Sequence, residues 1–387
     1  KNEEALSVSL KALSKFPIHY VLGRHELKDF ENADMIIKAP GIPLDSVYIK
    51  HAKKHGIPII MDASIFSRII RKTAPQTTII GITGTRGKSM TTALIYHILK
   101  INEKKLGCTI HLGGNMRMKA TLPLLAVIKD GDIVVLELDS WQCQGLGDER
   151  ISPHIAVFTS LMPDHMNYYK NSMKKYIEDK CKIFKYQTPG NVLVTDKKTL
   201  AMLPIKPRGK LIIGSTKNVQ GTHMKIFGDH NVKNASYAFA VAKSIGLSDI
   251  IIKKSLETFS GLEGRLQHLC TVRGIHVIND NNATTPEATS AGLKAVSSAY
   301  GKSNITLIVG GTHKNLEIKS LVSDIKKYTH AVILLPGTGT ELLKKSLKVS
   351  YTESVTLADA VERAFKTSKK GDLILFSPGF TSFGLFL

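Results

Sequence analysis

Cysteine is scarce in this chain of 387 residues, and the four present, Cys108, Cys143, Cys181 and Cys270, lie far apart with no C-x-x-C pair. That scatter argues against a disulfide framework and against a zinc site built on cysteines, and it fits a reducing, cytoplasmic setting. Long hydrophobic runs are missing too: Leu122–Ile128 and Ile133–Leu138 are broken by Lys-Asp-Gly-Asp, and the start of the chain lacks a signal-peptide core, so no membrane insertion is expected. Acidic residues are few, 32 against 53 lysines and arginines, for a formal net charge of +21. The lysines are dispersed as surface pairs, such as Lys174-Lys175 and Lys344-Lys345, with no basic stripe interleaved with aromatics. The expectation is a solvated basic surface that steers small anions, with no nucleic-acid partner. Low-complexity segments and internal repeats are also absent.

What is present begins at residues 79–92, Ile-Ile-Gly-Ile-Thr-Gly-Thr-Arg-Gly-Lys-Ser-Met-Thr-Thr. An apolar strand runs into a glycine-rich turn ending in Gly87-Lys88-Ser89, which opens a helix over 89–100. Glycines let backbone approach a polyphosphate, the free N–H groups of the first helical turn face its oxygens, and Lys88 adds a point charge. The Ser89 hydroxyl suits Mg²⁺. The spacing is not the strict Walker form, since the glycines fall at 81, 84 and 87.

The alternation of apolar runs and helical stretches divides the chain into three parts, 1–72, 73–262 and 263–387. The first reads as the remainder of a small α/β unit, with a helix Glu3–Leu13, an extended run Met35–Lys38, a helix near Val47–His55 and a strand Ile57–Met61. The second alternates strands at Ile79–Thr83, Ile133–Leu138, Ile155–Ser160, Val192–Thr195 and Leu211–Ile213 with helices near 89–100, 173–185 and 230–245, which predicts a mostly parallel, covered sheet. The pattern resets around Phe259–Glu263. The third part predicts a second doubly wound set, with strands His276–Asn279, Ile305–Gly310, Ala331–Leu335 and Leu373–Ser377 and helices between them. The chain opens inside a helix without a capped start and stops on apolar residues, so the natural protein is expected to extend beyond both ends.

Several polar residues fall where such sheets hold ligands. Glu137 closes an apolar strand beside the phosphate loop, where a nucleotide-bound cation needs an oxygen. Asp164-His165 follows another strand and can converge on the same ion. His51 and His55, four apart among lysines, read instead as an ordinary surface pair. Asn231 and Asn234 open a helix, where they serve either a cap and turn or a purine edge. Asp280 ends a strand, where a carboxylate can take ribose hydroxyls. Arg265 can reach a phosphate. Gly310-Gly311-Thr-His-Lys314 repeats the strand-to-glycine-turn theme and is weak as a lone motif.

Taken in order, these strings resemble the Mur ligase family, the ATP-dependent enzymes that add amino acids to the peptidoglycan precursor. The collinear matches are Ala-Pro-Gly-Ile at 39–42, Gly-Ile-Thr-Gly-Thr-Arg-Gly-Lys-Ser at 81–89, Gly-Gly-Asn at 113–115, Leu-Glu-Leu-Asp-Ser-Trp-Gln at 136–142, Asp-His-Met at 164–166, His-Asn-Val-Lys-Asn-Ala at 230–235, Gly-Leu-Glu-Gly-Arg at 261–265, Asn-Asp-Asn-Asn-Ala-Thr at 279–284 and Ser-Pro-Gly-Phe-Thr-Ser-Phe at 377–383. The resemblance implies a three-domain α/β architecture: an incomplete N-terminal domain for the UDP substrate, a central P-loop-type parallel-sheet ATPase domain and a C-terminal Rossmann-like domain.

It also implies residue roles. Gly84, Thr85, Gly87, Lys88, Ser89 and Met90 would hold ATP phosphates, with Ser89, Glu137, His165 and Lys180 at Mg²⁺. Lys180 falls at the family's carbamylated lysine, fifteen residues beyond His165, and a carbamate supplies an anionic oxygen where a bare ammonium would repel the ion. Asn231 and Asn234 would face adenine, Asp280 the ribose, and Arg265 a phosphate. Asn115 would touch the muramoyl substrate, while Thr284, Lys314 and Ser382 would hold the incoming amino acid. The activity implied is addition of D-glutamate to UDP-N-acetylmuramoyl-L-alanine through an acyl phosphate, by a cytoplasmic monomer. A different Mur-type or folylpolyglutamate-like ligase, or a non-enzymatic nucleotide-binding protein, is the alternative. The chain departs from the family pattern at Ser160-Leu-Met-Pro163, at Asp139 and at Asn282.

Overall fold

The computed structural model describes residues 3–116, 119–226, 228–301, 304–313 and 316–381, with side chains from residue 6 onward. Among the described residues the strands form three sheets. The first is a parallel pair, β1 (Ile36–Ile37) with β2 (Ile59–Ile60). The second holds β3 (Thr78–Thr83), β4 (Ile110–Gly114), β5 (Ile133–Glu137), β6 (Ile155–Phe158), β7 (Val192–Thr195) and β8 (Lys210–Ile213) in the order β4-β5-β3-β6-β7-β8. Each pairing with a described register in this sheet is parallel.

The third sheet holds β9 (Gln267–Val272), β10 (Ile275–Asn279), β11 (Ile305–Gly310), β12 (Thr329–Leu335), β13 (Tyr351–Glu353) and β14 (Leu373–Gly379), ordered β13-β12-β11-β14-β10-β9. It is parallel except for β9, which hairpins onto β10. The chain divides into two compact units, residues 1–88 with 107–212, and residues 89–106 with 213–387.

Apolar alternation explains why both large sheets are buried. In the third sheet Leu307, Val309, Val332, Leu334, Leu373 and Leu375 enter one core with Leu293 and Val296 of the helix Pro286–Tyr300 and Leu321 and Ile325 of the helix Lys319–Tyr328. The residues between them, Ile308, Ile333, Leu335 and Ile374, enter another core with Ala360 and Ala364 of the helix Leu357–Thr367. A period of two with both faces apolar is the mark of a covered parallel sheet. In the second sheet Val134, Leu136, Ala156, Phe158 and Leu193 pack with Phe66, Cys143, Leu146, Cys181 and Phe184. Those partners come from the helices Asp62–Thr73, Ser140–Asp148 and Met173–Lys185.

The strands and helices expected from the sequence are present within a few residues. The helices Asp62–Thr73, Ser140–Asp148 and Asp249–Thr258 and the strands β4, β9 and β13 were not expected. Ser140–Asp148 is the instructive case, because Gly145 and Gly147 lower its helix propensity. Neighbouring side chains approach both glycines closely: a Cβ on Gly147 would lie 2.1 Å from Cδ of Lys182, and one on Gly145 would lie 3.0 Å from Met61. Cys143 and Cys181 are buried, Cys108 is half-buried and Cys270 is exposed, all as free thiols.

Candidate active site

The phosphate loop follows β3. Gly84 has φ +145° and Gly87 φ +84°, backbone that favours glycine. A Cβ on Gly84 would fall 2.1 Å from Oγ1 of Thr159 and 2.9 Å from the Ser160 nitrogen. The loop is clamped by the segment after β6. The Thr85 N–H donates to the Ser160 carbonyl at 2.9 Å, and the Arg86 N–H donates to the Ser160 hydroxyl at 2.8 Å. The Thr159 hydroxyl donates to the Arg86 carbonyl at 2.6 Å. The Thr85 hydroxyl lies 3.0 Å from the Met162 carbonyl and 3.0 Å from the Tyr176 hydroxyl. Ser160, a departure from the family pattern, thus holds the loop at Arg86. The helix Lys88–Lys100 begins directly after the loop, so Ser89 and the buried Met90 lie in its first turn, whose N–H groups have no intrahelical acceptor.

Two ammonium groups converge at this loop. Lys88 donates to the Gly84 and Thr85 carbonyls at 3.0 and 3.2 Å. Lys180, only 2% exposed, donates to the same Gly84 carbonyl at 2.9 Å and to the Thr83 hydroxyl at 3.3 Å, and its Nζ lies 5.0 Å from the ring centroid of Tyr176. Burial first, and the nearby positive charge of Lys88 second, push the Lys180 amine down to about 8. A buried lysine brought into that range carries an appreciable neutral, nucleophilic fraction at physiological pH, which carbamylation requires.

Glu137 is 3% exposed at the carboxyl end of β5, in register with Ile82 of β3 and Gly114 of β4. Its carbonyl accepts the Asn115 N–H at 2.8 Å, so the expected metal ligand and the expected muramoyl contact are neighbours. Asp139 caps the helix Ser140–Asp148, accepting the Gln142 N–H at 2.7 Å while the Gln142 side chain returns to the Asp139 N–H. Burial raises its carboxyl, while Lys180 and Lys88 pull the other way.

His165 has a left-handed backbone, φ +52°. Its N–H is held by Oδ1 of Asp164 at 3.0 Å, and its ring centroid lies 4.6 Å from that of Trp141.

The other expected residues belong to the second unit. Asn231 and Asn234 are buried in the first turns of the helix Asp229–Ser244, and the Asn234 amide donates to Oδ1 of Asn231 at 3.2 Å. Asp280 is 7% exposed at the end of β10. Its oxygens accept from the Leu266 N–H at 3.1 Å and the Ser377 hydroxyl at 2.9 Å, and burial pushes its carboxyl up to about 6. Arg265, exposed beside it, opposes that shift. Thr284 is half-buried just before the Thr285 cap of the helix Pro286–Tyr300. Asn282, where the family commonly has lysine, donates its amide to the Glu263 carbonyl at 3.0 Å.

Lys314 and Ser382 lie outside the described residues. Near them in sequence, Thr312 and Thr381 form a bridge, with N–H to carbonyl distances of 2.6 and 3.1 Å. Beside this bridge Gly310, Gly311 and Gly337 all have φ between +137° and +147°, and a Cβ on Gly337 would collide with the Gly311 backbone at 2.2 Å.

Sequence reasoning missed Lys38 and Tyr176. Lys38 is 4% exposed and donates to the Ala39, Pro40 and Ile42 carbonyls at 3.1, 2.9 and 2.8 Å, fixing the Ala-Pro-Gly-Ile turn; burial pushes its amine down to about 8. Its signal was a lysine directly before a proline-glycine turn. Tyr176 precedes Lys180 by one helical turn, a spacing that places both on one face.

Comparison with known proteins agrees with this architecture. Residues 82–206 match the Mur ligase middle domain, and residues 264–380 match the Mur ligase, glutamate ligase domain. The UDP-N-acetylmuramoylalanine–D-glutamate ligase of a Roseiflexus species is 31% identical, over 100% of this chain and 88% of its own. Its counterpart in Borreliella burgdorferi is 34% identical over 100% and 87%. That of Streptococcus pyogenes is 33% identical over 97% and 84%. Among solved structures, MurC of Thermotoga maritima matches with a TM-score of 0.64 at 20% identity, covering 97% of this chain and 87% of its own. MurF of the same organism, in complex with ADP, matches with a TM-score of 0.63 at 18% identity, covering 86% and 87%. These two share the fold: a parallel central sheet followed by a second sheet domain. With relatives above 30% identity along its whole length and both domain models matched in order, the chain belongs to the Mur ligase family.

Proposed function

We propose that this protein is the ATP-dependent ligase that joins D-glutamate to UDP-N-acetylmuramoyl-L-alanine through an acyl phosphate, in peptidoglycan precursor synthesis. The observation that carries the reading is the pair Lys88 and Lys180 on one carbonyl of a glycine-shaped loop, in a chain whose relatives along its full length bear that enzyme's name. The loop fits a polyphosphate because the space at Gly84 is closed to any side chain.

Magnesium is part of the reading, and the donor set suits it: a buried carboxylate at Glu137, a hydroxyl at Ser89, an imidazole at His165, and Lys180 once carbamylated. Bound there, the ion would offset the negative charge that accumulates where carboxylate meets triphosphate.

In this mechanism an oxygen of the L-alanyl carboxylate attacks the terminal phosphorus and ADP leaves. The D-glutamate amine then attacks the acyl carbon, phosphate leaves, and the amine gives up a proton. Lys88 releases the Gly84 and Thr85 carbonyls to neutralise the transferring phosphoryl group. Asn115 positions the muramoyl substrate. Asn231 and Asn234 hold adenine, Asp280 the ribose, Arg265 a phosphate, and Thr284, Lys314 and Ser382 the glutamate.

We assign residues 1–72, 73–262 and 263–387 to the UDP-substrate, ATP and amino-acid parts, in a cytoplasmic monomer. Among the described residues no helix is long and apolar enough to cross a membrane. The test is phosphate release from Mg-ATP and UDP-N-acetylmuramoyl-L-alanine with D-glutamate, L-glutamate, L-lysine or diaminopimelate supplied in turn. Release with D-glutamate alone is expected. Release with another amino acid, or with none, overturns the assignment.

A further inference from the structure

We propose that Glu31, His51 and His55 form a surface site for a divalent transition-metal ion of the zinc type, remote in function from the ligase chemistry. One ligand atom from each of the three lies within 4.8 Å of the others. In a tetrahedral zinc site with bonds of about 2.0–2.2 Å, donor atoms sit roughly 3.4 Å apart, so small side-chain rotations close this set around an ion.

The local chemistry prepares the donors. His51 and His55 are four apart at the C-terminal end of the helix Val47–Lys54, with ring centroids 4.4 Å apart. Nδ1 of His55 lies 3.0 Å from the His51 carbonyl, which can only accept. The proton is therefore on Nδ1, and Nε2 presents its lone pair, the arrangement that outer hydrogen bonds impose on ligating histidines. Nε2 of His51 lies 2.8 Å from Oε1 of Glu31, where an ion would replace the shared proton. The helix terminus also favours positive charge.

Glu31 is delivered by a separate piece of chain. It caps the 3-10 turn Leu27–Phe30, which an aromatic cluster docks on the helix: His25 with Tyr48 at 5.0 Å, Phe30 with Tyr48 at 5.3 Å and His25 with Phe30 at 5.9 Å between centroids. Tyr48 precedes His51 by one turn, so the docked face and the donor face are continuous. Lys50, Lys53 and Lys54 share this helix, and their charge disfavours a hard ion held only electrostatically. Two imidazoles and a carboxylate suit zinc, nickel or copper instead. An ion here would clip residues 25–31 to the helix, with water in the fourth position.

The test uses the full chain, freed of metal with a chelator and titrated with zinc sulfate by calorimetry, with cobalt(II) absorption as a second readout. One equivalent of zinc, a tetrahedral cobalt spectrum and a raised midpoint of thermal unfolding are expected. In the double variant His51→Ala/His55→Ala that equivalent should weaken at least about tenfold. The single variant His55→Asn keeps a polar group at the helix end and should weaken in the same way. Zinc stoichiometry and affinity equal in parent and in His55→Asn would overturn the site.

Discussion

At the scale of single residues, Lys180 carries the most information. Its buried amine is held down to about 8 from an ordinary 10.5, so the folded chain gives up this proton before the unfolded chain does. Between about pH 8 and 10.5 the unfolded state binds more protons here, and the contribution of Lys180 to stability rises with pH; below that window the full cost of burying the charge is present. Lys180→Met should therefore stabilise the protein by about 1–3 kcal/mol at pH 7 in carbonate-free buffer, with the gain shrinking towards pH 10.5, as urea unfolding at several pH values would register. The same variant should lose phosphate release by about 100-fold or more, since methionine cannot become a carbamate ligand. Stability and activity moving in opposite directions is the signature of a group placed for chemistry. Lys180 was visible in the sequence only through family resemblance, because nothing in its helix distinguishes it from Lys182 or Lys185. Its burial against Tyr176 and the Gly84 carbonyl is a tertiary fact.

At the scale of elements, the phosphate loop and its clamp are one device, and two substitutions probe it. Gly84→Ala places a methyl group into Thr159 and Ser160 at a backbone angle that alanine resists. It should cost about 2 kcal/mol or more of stability and abolish ATP binding, which thermal denaturation and calorimetry would check. Asp139→Ala removes the carboxylate side of a capping box, leaving the Gln142 N–H without its acceptor, and should cost about 1–2 kcal/mol in urea unfolding, whereas Asp139→Ser, restoring the family's usual residue, should stay within about 0.5 kcal/mol of the parent.

Elements with strong apolar periods were legible from sequence: β7, β11 and the helix Met173–Lys185 have the expected bounds. The helix Ser140–Asp148 was not, because its two glycines serve the approach of Met61 and Lys182, which local propensity cannot register. The strands β9 and β13 were hidden because each lies at a sheet edge with most of its residues exposed, so no apolar alternation marks them.

At the scale of the whole molecule, the formal net charge is +21, and its lysines are dispersed along the chain. Both proposed carboxylate substrates and ATP are anions, so the field should raise their encounter rate. Raising ionic strength from about 20 to 200 mM shortens the screening length from roughly 20 Å to 7 Å, and kcat/KM should fall several-fold with kcat little changed. A profile insensitive to salt would mean that the lysines serve solubility alone.

The cysteines carry a different consequence. Burial pushes the Cys143 and Cys181 thiols up to about 12, so at neutral pH neither competes for an electrophile. Cys108 and Cys270 are accessible, and they belong to different compact units. The unmodified sequence thus already holds a pair of attachment points for spin labels or fluorophores, one per unit, and a distance ruler for following the units through a catalytic cycle needs no engineering.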